Sequence, residues 1–167
     1  GLSLLRASSV YESPAWGYDS ANAFLNAVVE VHFSGSAWTL FDHLLAVQQA
    51  MGRDSAERIP LWRSIAGQAG TTASTRVYND RSIDLDLLWM EDSEARPDEQ
   101  PQGLELDTPL LRLPHPEAHK RAFVLLPWAE LAPGLLLEGE TLVQWITRLS
   151  EGQRNSLTRL ECTNLLQ

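Results

Sequence analysis

The sequence predicts an α+β fold. Three observations carry that expectation. Residues 24–33 are a β-branched, aromatic run with the composition of a strand. Residues 39–51 repeat apolar side chains at helical spacing. Strands and helices of this kind mix along the chain without a regular βαβ alternation, which argues against a parallel sheet. With 167 residues the chain fits one domain, 1–167. It is 44% hydrophobic and 21% charged, so it can bury a core without disulfide staples.

Residues 3–12 read as a strand that enters the loop Ser13-Pro14-Ala15-Trp16-Gly17, where Pro and Gly punctuate the backbone. Residues 24–33 are the next strand. The helix over 39–51 places Leu40, Leu44, Val47 and Met51 on one stripe, and Gly52 follows as its stop. Residues 54–80 hold two Gly and many Ser and Thr, and read as a long mobile loop of the kind that usually has a functional reason. Residues 82–89 are a strand, and 90–104 an acidic, Pro-containing loop. A short strand at 110–113 ends at Pro114. Residues 120–131 are apolar with Pro127 inside, and fit helix or strand equally by period. Residues 141–149 are a helix, and 151–167 a polar, frayed tail.

The charge sum is 13 − 22 = −9. That argues against a nucleic-acid partner held by a basic surface. It leaves room for an anionic substrate, because an Arg cluster or a metal can reverse the field inside a cleft. No apolar run reaches the roughly 18 residues that a membrane helix needs, so no membrane partner is expected. The one cysteine, Cys162, cannot form an internal disulfide, and a cytoplasmic setting is the simplest. The chain lacks an initiator Met and any signal peptide, so it is expected to begin within a longer protein or after processing.

Asp84-Leu85-Asp86 is the sharpest chemical feature. In a strand the two carboxylates share a face, while Ile83, Leu85 and Leu87 take the other. Paired hard oxygens suit Mg²⁺ with substrate phosphates; the same pattern also fits a plain solvent face. His115 lies between Pro114 and Pro116, which holds it in extended backbone, where it could meet a phosphate or simply shape a loop. Arg53, Arg81 and Arg121 are candidate anion clamps through their planar forks; Arg81 could equally form a surface pair. Trp16, Phe24 and Phe123 could stack on a flat heterocycle or pack a core. Asn26 is an amide in an apolar strand, able to read the donor–acceptor edge of a ring.

Taken together, the segments resemble the 6-hydroxymethyl-7,8-dihydropterin pyrophosphokinases of folate biosynthesis. The resemblance runs from about Ser8 to about Pro133. It is carried by Ser9-Val10-Tyr11-Glu12-Ser13-Pro14-Ala15-Trp16-Gly17, Phe24-Leu25-Asn26-Ala27-Val28-Val29, Gly52-Arg53, Arg81-Ser82-Ile83-Asp84-Leu85-Asp86-Leu87-Leu88, and the stretch from Leu113-Pro114-His115-Pro116 through Arg121-Ala122-Phe123 to Glu130-Leu131-Ala132-Pro133. Any one block is weak; five in the family's order are specific.

The resemblance implies a ferredoxin-like fold, mainly antiparallel sheet with helices packed on it. It implies transfer of pyrophosphate from ATP to the hydroxymethyl group of the dihydropterin, with release of AMP. Asp84 and Asp86 match the pair that binds two Mg²⁺. Arg81, His115 and Arg121 match catalytic residues that contact the ATP phosphates, and Arg53 the first arginine of a closing loop. Ser13, Pro14, Trp16 and Gly17 match the pterin loop, Asn26 its edge-reading amide, and Phe24 and Phe123 its stacking aromatics. Several positions depart from the family pattern. The family's opening Gly-Ser-Asn strand has no counterpart before Ser8. Gln48 replaces an acid and Ser55 an arginine, Tyr78-Asn79-Asp80 replaces Trp-Gly-Pro, and the 54–80 loop is longer than usual. These departures keep a second reading beside the enzyme, a divergent relative that binds pterin or nucleotide without transfer or serves as an interaction domain. A third is an unrelated Mg²⁺-nucleotide transferase with an Asp-x-Asp site.

Overall fold

Two strand-forming stretches near the N-terminus fold back on one another, and each is interrupted at the same level. The computed structural model describes residues 1–17, 19–52, 82–91 and 102–161. Strand β1 (Leu2–Ala7) pairs antiparallel with β4 (Val29–Phe33), and β2 (Val10–Ser13) pairs antiparallel with β3 (Phe24–Asn26). The single strands expected at 3–12 and 24–33 are therefore four. Ser8 explains the break. Its amide donates to the Val28 carbonyl at 2.9 Å, and its hydroxyl accepts from the Val28 amide at 2.9 Å. A side-chain oxygen thus takes the place of a ladder carbonyl, as Ser readily does.

The chain divides into two compact units. The first, residues 1–34 and 117–167, holds these four strands and most of the C-terminal half. A single 3-10 turn, Ala118–Lys120, leads into helix α2 (Ala122–Leu131). This settles the 120–131 stretch as a helix. It buries Ala122, Val124, Leu125, Pro127 and Trp128. Burial on so many sides is why no single period was visible in the sequence. Pro127 removes the amide that would donate to the Phe123 carbonyl, and burial of Leu125 (0% exposed) and Trp128 (6%) outweighs that lost rung. Strands β7 (Leu136–Leu137) and β8 (Glu140–Thr141) form a hairpin. Helix α3 (Leu142–Arg148) follows, started by a capping box between Thr141 and Gln144. Leu137 and Leu142 are fully buried between these elements.

Residues 151–160 are not part of a frayed tail as expected; residues 162–167 lie outside the described residues. Ser150 and Gln153 form a second capping box on helix α4 (Glu151–Asn155), and strand β9 (Thr158–Leu160) then pairs antiparallel with β2. Strand β2 is the centre of a β3-β2-β9 sheet.

The second unit, residues 35–116, is built on helix α1 (Ala37–Ala50). Ser36 caps its start by accepting from the Thr39 amide, and Gly52, at φ +90°, turns the chain beyond its end. The buried stripe is Ala37, Leu40 and Gln48, while Val47 and Met51, expected on it, are exposed. Strands β5 (Leu106–Asp107) and β6 (Arg112–Leu113) form a hairpin, and Ala37, Leu111 and Leu113 make the core with Phe41, Leu87 and Met90 packed on it. Residues 82–89 form no strand ladder among the described residues; the Leu85 amide bonds a helix side chain and the Leu88 carbonyl a loop amide. The mobile loop expected at 54–80 and most of the acidic loop at 90–104 lie outside the described residues. Among the described residues, no helix is long and apolar enough to cross a membrane.

In the first unit the carboxylate of Glu130, on α2, joins three segments. It accepts from the Ser9 amide at 2.7 Å and the Tyr11 hydroxyl at 2.7 Å, and pairs with Arg159 on β9 at 3.4 Å. Burial and then the bond to Glu130 push the Tyr11 phenol up to about 12. Burial alone would raise Glu130; the Ser9 and Tyr11 hydrogen bonds and Arg159 overcome it and hold the carboxyl below its usual 4.5. The signs follow. Tyr11 adds stability that is complete below its ordinary value of 10.0 and is lost as pH rises through about 12. Glu130 adds stability that is present above 4.5 and is lost as pH falls through its lowered value. We expect ultraviolet titration to show a tyrosinate transition near pH 12 that disappears in Tyr11→Phe; its persistence in that variant would contradict the assignment.

Candidate functional site

The candidate residues fall into two sets, one in each unit. In the first unit, β2 delivers Ser13 to the start of the loop that runs through Pro14 and Trp16 to Gly17. Ser13 is 4% exposed. Gly17 has φ +79°, a conformation other residues rarely adopt, and this lets the chain turn away just after Trp16. Phe24 lies opposite Ser13 in the β2–β3 register, and Asn26 opposite Tyr11. Asn26 donates from Nδ2 to the Ser13 hydroxyl at 2.9 Å and to the Phe24 carbonyl at 3.1 Å. Its donors are thus committed to the protein, and Oδ1 is the atom with which it can read a ring N–H.

Phe123, in the first turn of α2, meets Trp16 edge to face. Their centroids are 6.2 Å apart and the planes are inclined at 65°. The pair makes a corner, with one ring face and one ring edge. Arg121 stands at the N-cap position of α2 and places its guanidinium over the Phe123 ring, 5.9 Å from the centroid. Ser13, Pro14, Trp16 and Phe123 line one shallow, open pocket. Gln153, Ser156 and Leu157 line it too. Nothing in the sequence marked these three, because a short polar stretch carries no period to read. Their only signal was the Ser150–Gln153 spacing of a capping box, which argues for a helix where a tail was expected.

In the second unit, the Asp-Leu-Asp segment shows the alternation expected of it even without a ladder. Asp84 and Asp86 are exposed, while Ile83, Leu85 and Leu87 are half-buried. Leu87 packs on the core of this unit. Gln48 completes the anchoring: it is 3% exposed, and its Oε1 accepts from the Leu85 amide at 3.1 Å. The residue between the two aspartates is therefore pinned to α1. An acid at position 48 could accept the same bond, but would add a third negative charge beside Asp84 and Asp86. The amide does the work without that charge.

His115 is also drawn to this segment. Its amide donates to the Leu88 carbonyl at 2.8 Å, and its Nε2 lies 4.0 Å from Asp86 Oδ2. That separation is ion-pair range and too long for a hydrogen bond. The residue is 9% exposed, and the Leu113–Pro114 bond before it is cis. Arg53 and Arg81, two of the expected phosphate clamps, lie outside the described residues, as do Ser55 and positions 78–80.

Two exposed carboxylates two residues apart, with their intervening residue held by Gln48, fit Mg²⁺. That ion typically takes one or two protein carboxylates and keeps waters and phosphate oxygens for the rest. The exposure of both aspartates leaves that space.

The Gln48 bond is open to direct test. Gln48→Leu leaves the half-buried Leu85 amide without this acceptor, and we expect it to lower the unfolding free energy by about 1–3 kcal/mol. Gln48→Glu keeps the acceptor and should lose less. Equal stability of Gln48→Leu and the parent protein in denaturant titration would show that the bond does not hold the segment.

Residues 2–133 match the sequence model of 7,8-dihydro-6-hydroxymethylpterin-pyrophosphokinase. A 2-amino-4-hydroxy-6-hydroxymethyldihydropteridine pyrophosphokinase of Porphyromonas gingivalis is 32% identical over 138 residues, 83% of this chain and 76% of the relative. One of Methylorubrum extorquens is 29% identical over 149 residues, 89% of this chain and 75% of the relative. One of Synechocystis is 29% identical over 151 residues, 89% of this chain and 62% of the relative. The chain belongs to the 7,8-dihydro-6-hydroxymethylpterin-pyrophosphokinase family.

Proposed function

We infer that the protein transfers pyrophosphate from ATP to the hydroxymethyl group of 6-hydroxymethyl-7,8-dihydropterin in folate biosynthesis. The pterin hydroxyl oxygen forms a bond to the β-phosphorus of ATP, the bridge between the α- and β-phosphates breaks, AMP leaves, and the hydroxyl proton is lost to solvent. The observation that carries this is the Asp84–Asp86 pair, in a chain whose residues 2–133 match the family.

The chain's own residues divide the task. Asp84 and Asp86 would hold Mg²⁺, two ions in our reading, which supply charge neutralisation and alignment of the phosphate oxygens. Gln48 and Leu87 keep the two carboxylates on one side of their segment. His115, Arg121, Arg53 and Arg81 are assigned to the phosphates, where cationic and N–H groups stabilise the charge that remains. The loop at 54–80 is assigned to closure over the nucleotide, which would exclude water as the competing nucleophile. Trp16 and Phe123 offer the pterin a corner of one ring face and one ring edge. Phe24 is assigned to the same stacking role, and Asn26 Oδ1 accepts from a ring N–H. Ser13, Pro14 and Gly17 set the path of the loop along the ring. We place the reaction in the cytoplasm, in one ferredoxin-like domain, with no nucleic-acid or membrane partner.

The aspartates test this directly. We expect Asp84→Asn and Asp86→Asn each to lower turnover by about 100-fold or more, by analogy with the loss of one group that stabilises transition-state charge. Both side chains are exposed, so circular dichroism and melting temperature should hardly change. Full activity in either variant would remove the metal role from that residue.

A further inference from the structure

The pocket next to Ser13 has a wall that the family match does not reach. The match ends at residue 133, and Gln153, Ser156 and Leu157 lie beyond it. We propose that this C-terminal segment forms one wall of the pterin pocket and that Leu157 is a specificity-determining residue, packing on the flat, uncharged ring. The proposal rests on the pterin assignment of the Ser13–Trp16 loop and Phe123.

Strand register places Leu157. Strand β9 pairs with β2 through Glu12 with Thr158, Tyr11 with Arg159 and Val10 with Leu160. Continued by one residue, the antiparallel register sets Leu157 opposite Ser13, the buried residue from which the pterin loop departs. Leu157 is half-buried and lines the pocket. A branched aliphatic side chain there offers a ring only area and shape, which selects against bulk rather than for a hydrogen bond.

The wall is also held in place before any ligand arrives. Gln153 accepts from the Ser150 amide at 3.0 Å through Oε1, and its Nε2 reaches the Lys120 carbonyl at 3.5 Å, just ahead of α2. The Ser156 hydroxyl donates to the Gln153 carbonyl at 2.9 Å, so its hydrogen is committed and its oxygen keeps acceptor capacity toward the pocket. On its other side β9 is tied to Ser9 and Glu130 through Arg159. Such support gives a contact residue its precision.

The test compares Leu157→Trp with Leu160→Ala in the full chain. Leu160 is in the same strand but does not line the pocket. Binding of 6-hydroxymethyl-7,8-dihydropterin is measured by calorimetry in the presence of a non-hydrolysable Mg-ATP analogue, and binding of the analogue alone is measured in parallel. We expect Leu157→Trp to weaken pterin binding by about tenfold or more, the scale of a shape mismatch in an apolar pocket, with analogue binding unchanged. Leu157→Ala should bind a ring-alkylated dihydropterin more tightly than the parent does, which a folding defect would not produce. Unchanged pterin binding in Leu157→Trp would overturn the proposal, as would an equal loss in folded Leu160→Ala. A parent protein that forms no pterin-dependent AMP would instead overturn the functional reading on which the proposal rests, and the proposal with it.

Discussion

The Glu130 carboxylate accepts from the Ser9 amide and the Tyr11 hydroxyl, each at 2.7 Å, and faces the Arg159 guanidinium at 3.4 Å. These contacts tie α2 to the approach of β2 and to β9. Their weights differ. Hydrogen bonds to an ionised acceptor are worth about 1.5–3 kcal/mol. The Arg159 side chain is 65% exposed, so its ion pair adds about 1 kcal/mol or less. The two neutral donors therefore do most of the fixing, and Arg159 mainly steers β9 into register. From that point the rest of the unit follows. Strand β2 is held on both edges, Ser13 emerges at a fixed place and depth, and the loop through Trp16 is set against Phe123 on the helix that carries Glu130 itself.

The second unit solves a different problem with a similar device. Two aspartates two residues apart must face the same way without a ladder to enforce the alternation. Leu87 anchors one end by packing on the Ala37–Leu111–Leu113 core, and Gln48 anchors the middle by accepting the Leu85 amide. An amide at position 48 does this with no extra charge beside the carboxylates. A position that departs from the family pattern in sequence thus has a defined structural task.

Much of this was legible beforehand where a residue's role is local. Gly52 was read as the stop of α1, residues 141–149 as a helix, and the Ile83–Leu87 alternation was visible as a pattern of two. Most of the failures involve partners distant in sequence; helix α4 is the exception, since its Ser150–Gln153 capping box is local. Ser8 breaks two strands because its hydroxyl finds Val28, twenty residues on. Strand β9 exists because β2 offers it an edge, while its own residues, Thr158-Arg159-Leu160, have no strand signature. Val47 yields its place in the core to Gln48 because the Leu85 amide needs an acceptor there. The residues of the Ser13–Gly17 loop and Phe123 were named from a motif, and the structure gathers Ser13, Pro14, Trp16 and Phe123 around one pocket. Gln153, Ser156 and Leu157 could be found only from the folded chain, since their place depends on pairing across some 145 residues.

The central claim is a pyrophosphoryl transfer, and the identity of the nucleotide product tests it most directly. The protein is incubated with Mg-ATP, with and without 6-hydroxymethyl-7,8-dihydropterin, and the nucleotides are separated by chromatography. The account predicts AMP, formed only when the pterin is present and in equal amount to the pterin pyrophosphate. Formation of ADP, or of AMP at the same rate without the pterin, would contradict it.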